Sequence, residues 1–175
     1  MPIPESQLET WSRQGEAKTL KDTHESVRNA LELYDWPGDV QYEVYLQGSY
    51  KNDTNIRGNS DVDIVVQLNS AFLTNLSEDW KRQFGFTSAT YGWKEFRSDT
   101  LKALRNYYGD SEVSEGKKAL KVKTPYLPAD VVVCLQYRKY PDRPRSEDDF
   151  VEGMTFWVPS ERRWVINYPK LHYAN

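Results

Sequence analysis

The chain has little of what builds covalent or thiolate frameworks. Its 175 residues include one cysteine, Cys134. A single thiol excludes an internal disulfide network and a cysteine-built zinc site. There are only two histidines, His24 and His172. Neither has an acid or a second histidine at ligand spacing, so both read as surface or packing residues. No apolar run approaches the roughly 18–20 residues that a membrane helix needs. The opening Met1-Pro2-Ile3-Pro4-Glu5 lacks the basic and apolar regions of a signal peptide. The expectation is a cytoplasmic protein with no membrane partner. Positive charge is not in excess: 23 Lys and Arg stand against 26 Asp and Glu, a net charge of −3. That is no footprint for gripping duplex nucleic acid. A phosphate-handling site is still compatible with it, because bound metal ions add charge that a sequence count omits. There is no internal repeat, no low-complexity tract and no clear linker.

What is present suits one folded domain. Aromatic residues make up 14% of the chain, too many for a disordered tail. Ser6-Gln7-Leu8-Glu9 reads as a capping box with Ser6 as N-cap. Behind it Leu20, His24, Val27, Leu31 and Tyr34 share a helix face, Gly15 is a candidate bend, and Trp36-Pro37-Gly38 stops the helix. From Val40 to Gln47 the chain alternates, with Val40, Tyr42, Val44 and Leu46 on one side. A turn at Gly48-Ser49 and a polar loop through Asn59 follow. Asp61–Leu68 is a predicted strand with Val62, Ile64, Val66 and Leu68 on its apolar face. Tyr91–Tyr108 reads as a helix, with Phe96, Leu104 and Tyr107 on one side and Gly109 as its stop. Trp93, Phe96 and Tyr107 read as core rather than as base-stacking platforms.

Lys118–Thr124 alternates again, Leu120 and Val122 inward, Lys121 and Lys123 outward. After a turn at Pro125–Pro128, Ala129–Tyr137 is an apolar strand antiparallel to the one before. Cys134 fits there as a small buried filler. Arg138–Asp149 is expected to be a solvated, flexible loop. Met154–Val158 and Arg163–Asn167 form a hairpin around Ser160-Glu161. A helix followed by strands interrupted by helices is an α+β pattern.

Three acids sit where acids are costly. Asp61 and Asp63 open a strand otherwise built of Val and Ile. Residues two apart in a strand face the same side, so these carboxylates converge. Asp130 lies in Ala129-Asp130-Val131-Val132-Val133. Buried carboxylates without partners are unfavourable, and neighbouring ones raise one another's pKa. Divalent cations remove both problems, and Mg²⁺ prefers carboxylate oxygens. A lone Asp at a strand start is most often a solvated end, and Asp-x-Asp alone is common. The combination with Gly48-Ser49 at the end of the preceding strand is what carries weight. A strand ending in Gly lets backbone approach a phosphate, and a Ser hydroxyl can donate to it. Lys121 and Lys123 could meet triphosphate oxygens, but an exposed strand face explains them equally well.

Leu46-Gln47-Gly48-Ser49-Tyr50, Asn52-Asp53-Thr54-Asn55-Ile56 and Ser60-Asp61-Val62-Asp63-Ile64-Val65-Val66 together resemble the signature of the DNA polymerase β-like nucleotidyltransferase superfamily. Within it the chain is most similar to the bacterial cGAS/DncV-like nucleotidyltransferases, which make cyclic di- and trinucleotide signals in antiphage defence. The likeness extends to Gly116–Val122, to Ala129–Val133 and to Ile166-Asn167-Tyr168-Pro169-Lys170. The resemblance implies a polymerase β-like fold, a mixed twisted sheet flanked by helices, over residues 1–175. It implies nucleoside triphosphates as substrates and two ions of Mg²⁺ or Mn²⁺. Asp61 and Asp63 would bridge both ions, and Asp130 would bind the one that activates the attacking hydroxyl. Gln47, Gly48 and Ser49 would line the donor triphosphate. A helical lobe that this branch carries after the catalytic domain is expected to be missing here. Two alternatives stay open: a minimal nucleotidyltransferase that modifies a protein or RNA end, and a nucleotide-binding module without turnover. No regulatory protein partner is legible.

Overall fold

The computed structural model describes residues 5–47 and 61–171, with side chains from residue 19 onward. The elements in order are α1 (Glu5–Glu32), β1 (Tyr42–Leu46), β2 (Val62–Thr74), α2 (Glu78–Gln83), α3 (Trp93–Tyr108), a 3₁₀ turn (Asp110–Glu112), β3 (Val113–Glu115), β4 (Leu120–Lys123), β5 (Pro128–Lys139), β6 (Val151–Val158) and β7 (Arg163–Asn167). The strands hydrogen-bond in the order β1-β2-β5-β4-β3, with β6 paired to β5 and β7 to β6. This is the expected α+β architecture, a mixed sheet with flanking helices. Among the described residues no helix is long and apolar enough to cross a membrane.

The chain divides into two compact units. The first comprises Met1–Tyr34, Val44–Val65 and Leu101–Val132. In it α1 buries Leu20, Val27, Ala30 and Leu31 at three- and four-residue steps. The Thr23 hydroxyl donates to the Thr19 carbonyl at 2.7 Å and accepts from the Leu127 amide at 3.2 Å, so the helix holds the turn before β5. The Ser26 and Tyr108 hydroxyls share a hydrogen bond of 2.6 Å. Burial pushes the Tyr108 phenol up to about 12. His24 is half-buried and donates from Nε2 to the Val44 carbonyl at 3.0 Å, a packing role. The strands β3, β4 and β5 are antiparallel neighbours. Leu120, Val122, Ala129 and Val131 fill the covered face.

The second unit comprises Asp35–Glu43, Val66–Thr100 and Val133–Asn175. Phe96, fully buried, packs its ring against Trp36 and Tyr42. Trp93 donates from its indole to the Val133 carbonyl at 2.8 Å. Cys134 is buried, and burial pushes its thiol up, as suits an inert filler. The predicted hairpin forms, with Val158 opposite Arg163. Gly153 is obligatory there, because a Cβ would lie 2.8 Å from the Tyr168 ring. Lys170 bonds to both Glu43 and Glu152. Glu152 also accepts from Gln136, and Gln136 from Arg138.

Several expectations need correction. α1 begins at Glu5 and runs unbroken past Gly15, so Ser6 lies inside its first turn rather than at its cap. β1 is half-buried at every position, with no dry face. β2 is longer than predicted and buried on both sides at Val62–Leu68 apart from Asp63. Tyr107 obeys the helical period of Phe96 and Leu104, yet it is 44% exposed. It sits at the helix end, where its ring meets only Tyr108 edge-on among the described ring contacts. Arg138 is not in a solvated loop. It lies on β5 with its guanidinium 3.7 Å from the Phe72 ring centroid and 4.7 Å from that of Phe150. Three elements escaped sequence reading: α2, capped by Ser77, the 3₁₀ turn Asp110–Glu112 and the three-residue β3.

Candidate active site

Strand alternation decides where each acid points. Val62 and Ile64 are fully buried, so Asp63 between them faces the other side of β2, half-buried. Asp61, just before the strand, is exposed. On β5, Ala129 and Val131 are buried, and Asp130 between them turns away from that packed face. Its side chain is 24% exposed. The expectation of acids sunk in an apolar interior therefore needs modification. Apolar residues fill the opposite face and continue on the carboxylates' own face at Val65 and Cys134, so Asp63 and Asp130 are left partly exposed only near the strand starts. All three acids belong to the first unit.

Their electrostatics are coupled. The Asp63 carboxyl is held above the ordinary carboxylate range, first by burial, then by the charges of Asp130 and Asp61, with Lys121 opposing. Asp130 and Asp61 therefore both act on Asp63. Lys121 is the residue that sequence reading left undecided. It stands directly opposite Asp130 in the β4–β5 register, and its Nζ lies 3.4 Å from Asp130 Oδ1. Its signal was the Lys-Val-Lys alternation just before the third acid; register, which sequence does not specify, assigns the partner. Lys123 projects on the same exposed face of β4 but lies opposite Pro128. Gln47 is tied to the site through its backbone, its amide donating to the Asp63 carbonyl at 3.0 Å. Gly48 and Ser49 lie outside the described residues.

This donor set fits a hard divalent cation. The ligands are all carboxylate oxygens, and a cation would offset the charges that raise Asp63. Among the described residues, no three Asp, Glu, His or Cys side chains are gathered closely enough to hold an ion as they stand. Lys121 takes up part of the negative field instead.

Residues 27–154 match the model of the nucleotidyltransferase domain. The chain belongs to this family. Proteins of the family use divalent metal in general. The chain is 65% identical, over all of its 175 residues, to the cyclic UMP-AMP synthase of Rhodothermus marinus, and spans 60% of that relative. It is 38% identical to the cyclic nucleotide synthase CdnE01 of Staphylococcus haemolyticus, covering 99% of this chain and 61% of the relative. The solved structure of the Rhodothermus marinus CdnE c-UMP-AMP synthase with Apcpp and Upnpp superposes with a TM-score of 0.87, over 99% of this chain and 59% of that one. The fold is therefore the nucleotidyltransferase fold found in the CD-NTases. The chain spans about 60% of the length of the curated relatives it matches.

Proposed function

We propose that this chain is the catalytic domain of a metal-dependent nucleotidyltransferase that joins nucleoside triphosphates into a cyclic di- or trinucleotide signal in antiphage defence. The observation that carries the reading is Asp63 held between the fields of Asp61 and Asp130 on an otherwise apolar sheet segment. Similarity to a cyclic UMP-AMP synthase supports ATP and UTP as the first substrates to try.

Asp61, Asp63 and Asp130 would hold two ions of Mg²⁺ or Mn²⁺. The ions, when bound, would lower the pKa of the attacking hydroxyl and neutralise charge on the leaving pyrophosphate. The chain's own part is positioning. Asp61, just before β2, and Asp63 on it would serve both ions, and Asp130 on β5 would serve the ion on the attacking side. Gln47, whose amide donates to the Asp63 carbonyl, would line the donor triphosphate with Gly48 and Ser49, whose N–H groups and hydroxyl would donate to phosphate oxygens.

The test is incubation with labelled ATP and UTP, singly and together, with Mg²⁺ or Mn²⁺. A cyclic product supports the full reading. Linear dinucleotide with released pyrophosphate supports nucleotidyl transfer and overturns cyclisation by this chain alone. Labelled protein or RNA points to a transferase acting on a macromolecule. Binding without product points to a sensor.

A further inference from the structure

Lys121 stands where the proposed site would need positive charge. The alternation of β4 buries Leu120 and Val122 and leaves Lys121 and Lys123 exposed. Register then separates the two lysines. Lys121 is paired with Asp130 and Lys123 with Pro128. The Lys121 ammonium lies 3.4 Å from Asp130 Oδ1, and it is also the cation whose field opposes the rise at Asp63. One ammonium thus acts on carboxylates from two strands, β2 and β5.

The pair is also easy to open. The Lys121 side chain is 59% exposed and that of Asp130 only 24%. The anion is held by its strand while the cation swings on a flexible four-carbon stem. Exposed pairs of this kind contribute little to stability. A lysine brings one charge and three N–H donors, whereas a divalent ion brings two charges and draws carboxylate oxygens directly onto itself. An ammonium left beside such an ion would be repelled by it.

We propose that Lys121 is an exchangeable place-holder for the cation at Asp130. In the metal-free protein it screens Asp130 and Asp63. When a divalent ion binds, the ammonium leaves for solvent or for a phosphate of the incoming nucleotide. The proposal rests on the metal-dependent reading above, and its test separates the two.

The experiment measures Mn²⁺ binding to the full chain without nucleotide, from the electron paramagnetic resonance signal of free Mn²⁺. The proteins are wild type, Lys121→Gln, Lys121→Arg and Asp130→Asn, each also melted in chelator. Removing a competing charge at contact distance should tighten Mn²⁺ binding by about fivefold in Lys121→Gln. The same variant should melt lower than wild type in chelator, because its acids are less screened, and gain more from Mn²⁺. Lys121→Arg should follow wild type in both readings. Unchanged or weaker Mn²⁺ binding in Lys121→Gln overturns the place-holder. Asp130→Asn that binds Mn²⁺ as wild type does would remove the metal reading itself, and the place-holder with it.

Discussion

Two regions of this chain gather acids around a lysine, and they treat charge in opposite ways. In the second unit Lys170 bonds to Glu43 and Glu152. Burial pulls the Lys170 pKa down, yet the bonds to the two glutamates outweigh it and hold the ammonium above the usual lysine range. In the first unit the carboxyl at the centre of the cluster, Asp63, is the group driven toward its neutral form, by burial and by Asp130 and Asp61. Charge is welcome at Lys170 and unwelcome at Asp63. The first arrangement joins β1, β6 and the segment after β7 and serves as a structural tie. The second keeps negative charge that Lys121 only partly offsets at Asp63, a state that a bound cation would relieve. An ion pair is thus read as structural or functional by which partner's ionised form the surroundings favour, rather than by its distance.

The sharpest way to break this contrast is to neutralise the centre of each region. Asp63→Asn should lower nucleotidyl transfer by orders of magnitude and also weaken metal-dependent triphosphate binding, because Asp63 is assigned to both ions. Equal triphosphate affinity in wild type and variant, measured by calorimetry with Mg²⁺, would count against that assignment. Lys170→Met should leave metal binding alone and cost about 2 kcal/mol of stability, for two charge-assisted hydrogen bonds lost at a partly exposed site. Urea denaturation measures it, and an unchanged midpoint would demote the triad to a solvated contact. Ser49→Ala should weaken triphosphate binding by about 1–2 kcal/mol with little change in stability, the value of a hydrogen bond to a charged group. Normal binding would return Gly48-Ser49 to a simple turn.

The smallest effect is in pH dependence. A carboxyl raised in the folded state keeps its proton to higher pH than in the unfolded chain. Between its ordinary value of 3.8 and the raised one, the metal-free fold therefore gains stability as pH falls. Mn²⁺ affinity should decline over the same window, since metal and proton compete for one carboxylate. Asp63→Asn should abolish the stability gain in chelator. Melting curves across acidic pH test this, and the same profile in both proteins would mean that Asp63 is not the group responsible.

How much of this was legible in the sequence follows from what each signal depends on. Period and parity are local, so α1, α3, β2, β4, β5 and the final hairpin could be read, and so could the inward and outward positions of Leu120–Lys123. The acids were found because Asp interrupts Val-rich strands. What failed depended on packing from elsewhere. Tyr107 continues an apolar stripe past the end of what covers it. Arg138 looked solvated among charged neighbours, but the rings of Phe72, on β2, and Phe150, just before β6, lie against its guanidinium. Lys121 could be placed on an exposed face but not paired, because register between β4 and β5 is a property of the sheet. Glu43, Glu152 and Lys170 meet across 127 positions of sequence, with no local pattern to announce them.

The central claim is that Asp61, Asp63 and Asp130 converge to hold cations, and Asp130→Asn tests it most directly. Thermal melting of wild type and variant would be recorded in chelator and in Mn²⁺, with ATP affinity and product formation measured alongside. The account predicts that the variant is at least as stable as wild type in chelator, because repulsion at Asp63 is relieved. It predicts a smaller stabilisation by Mn²⁺, ATP affinity within a few-fold of wild type, and turnover lower by orders of magnitude. A variant that unfolds in chelator, or that responds to Mn²⁺ and turns over as wild type does, would contradict it.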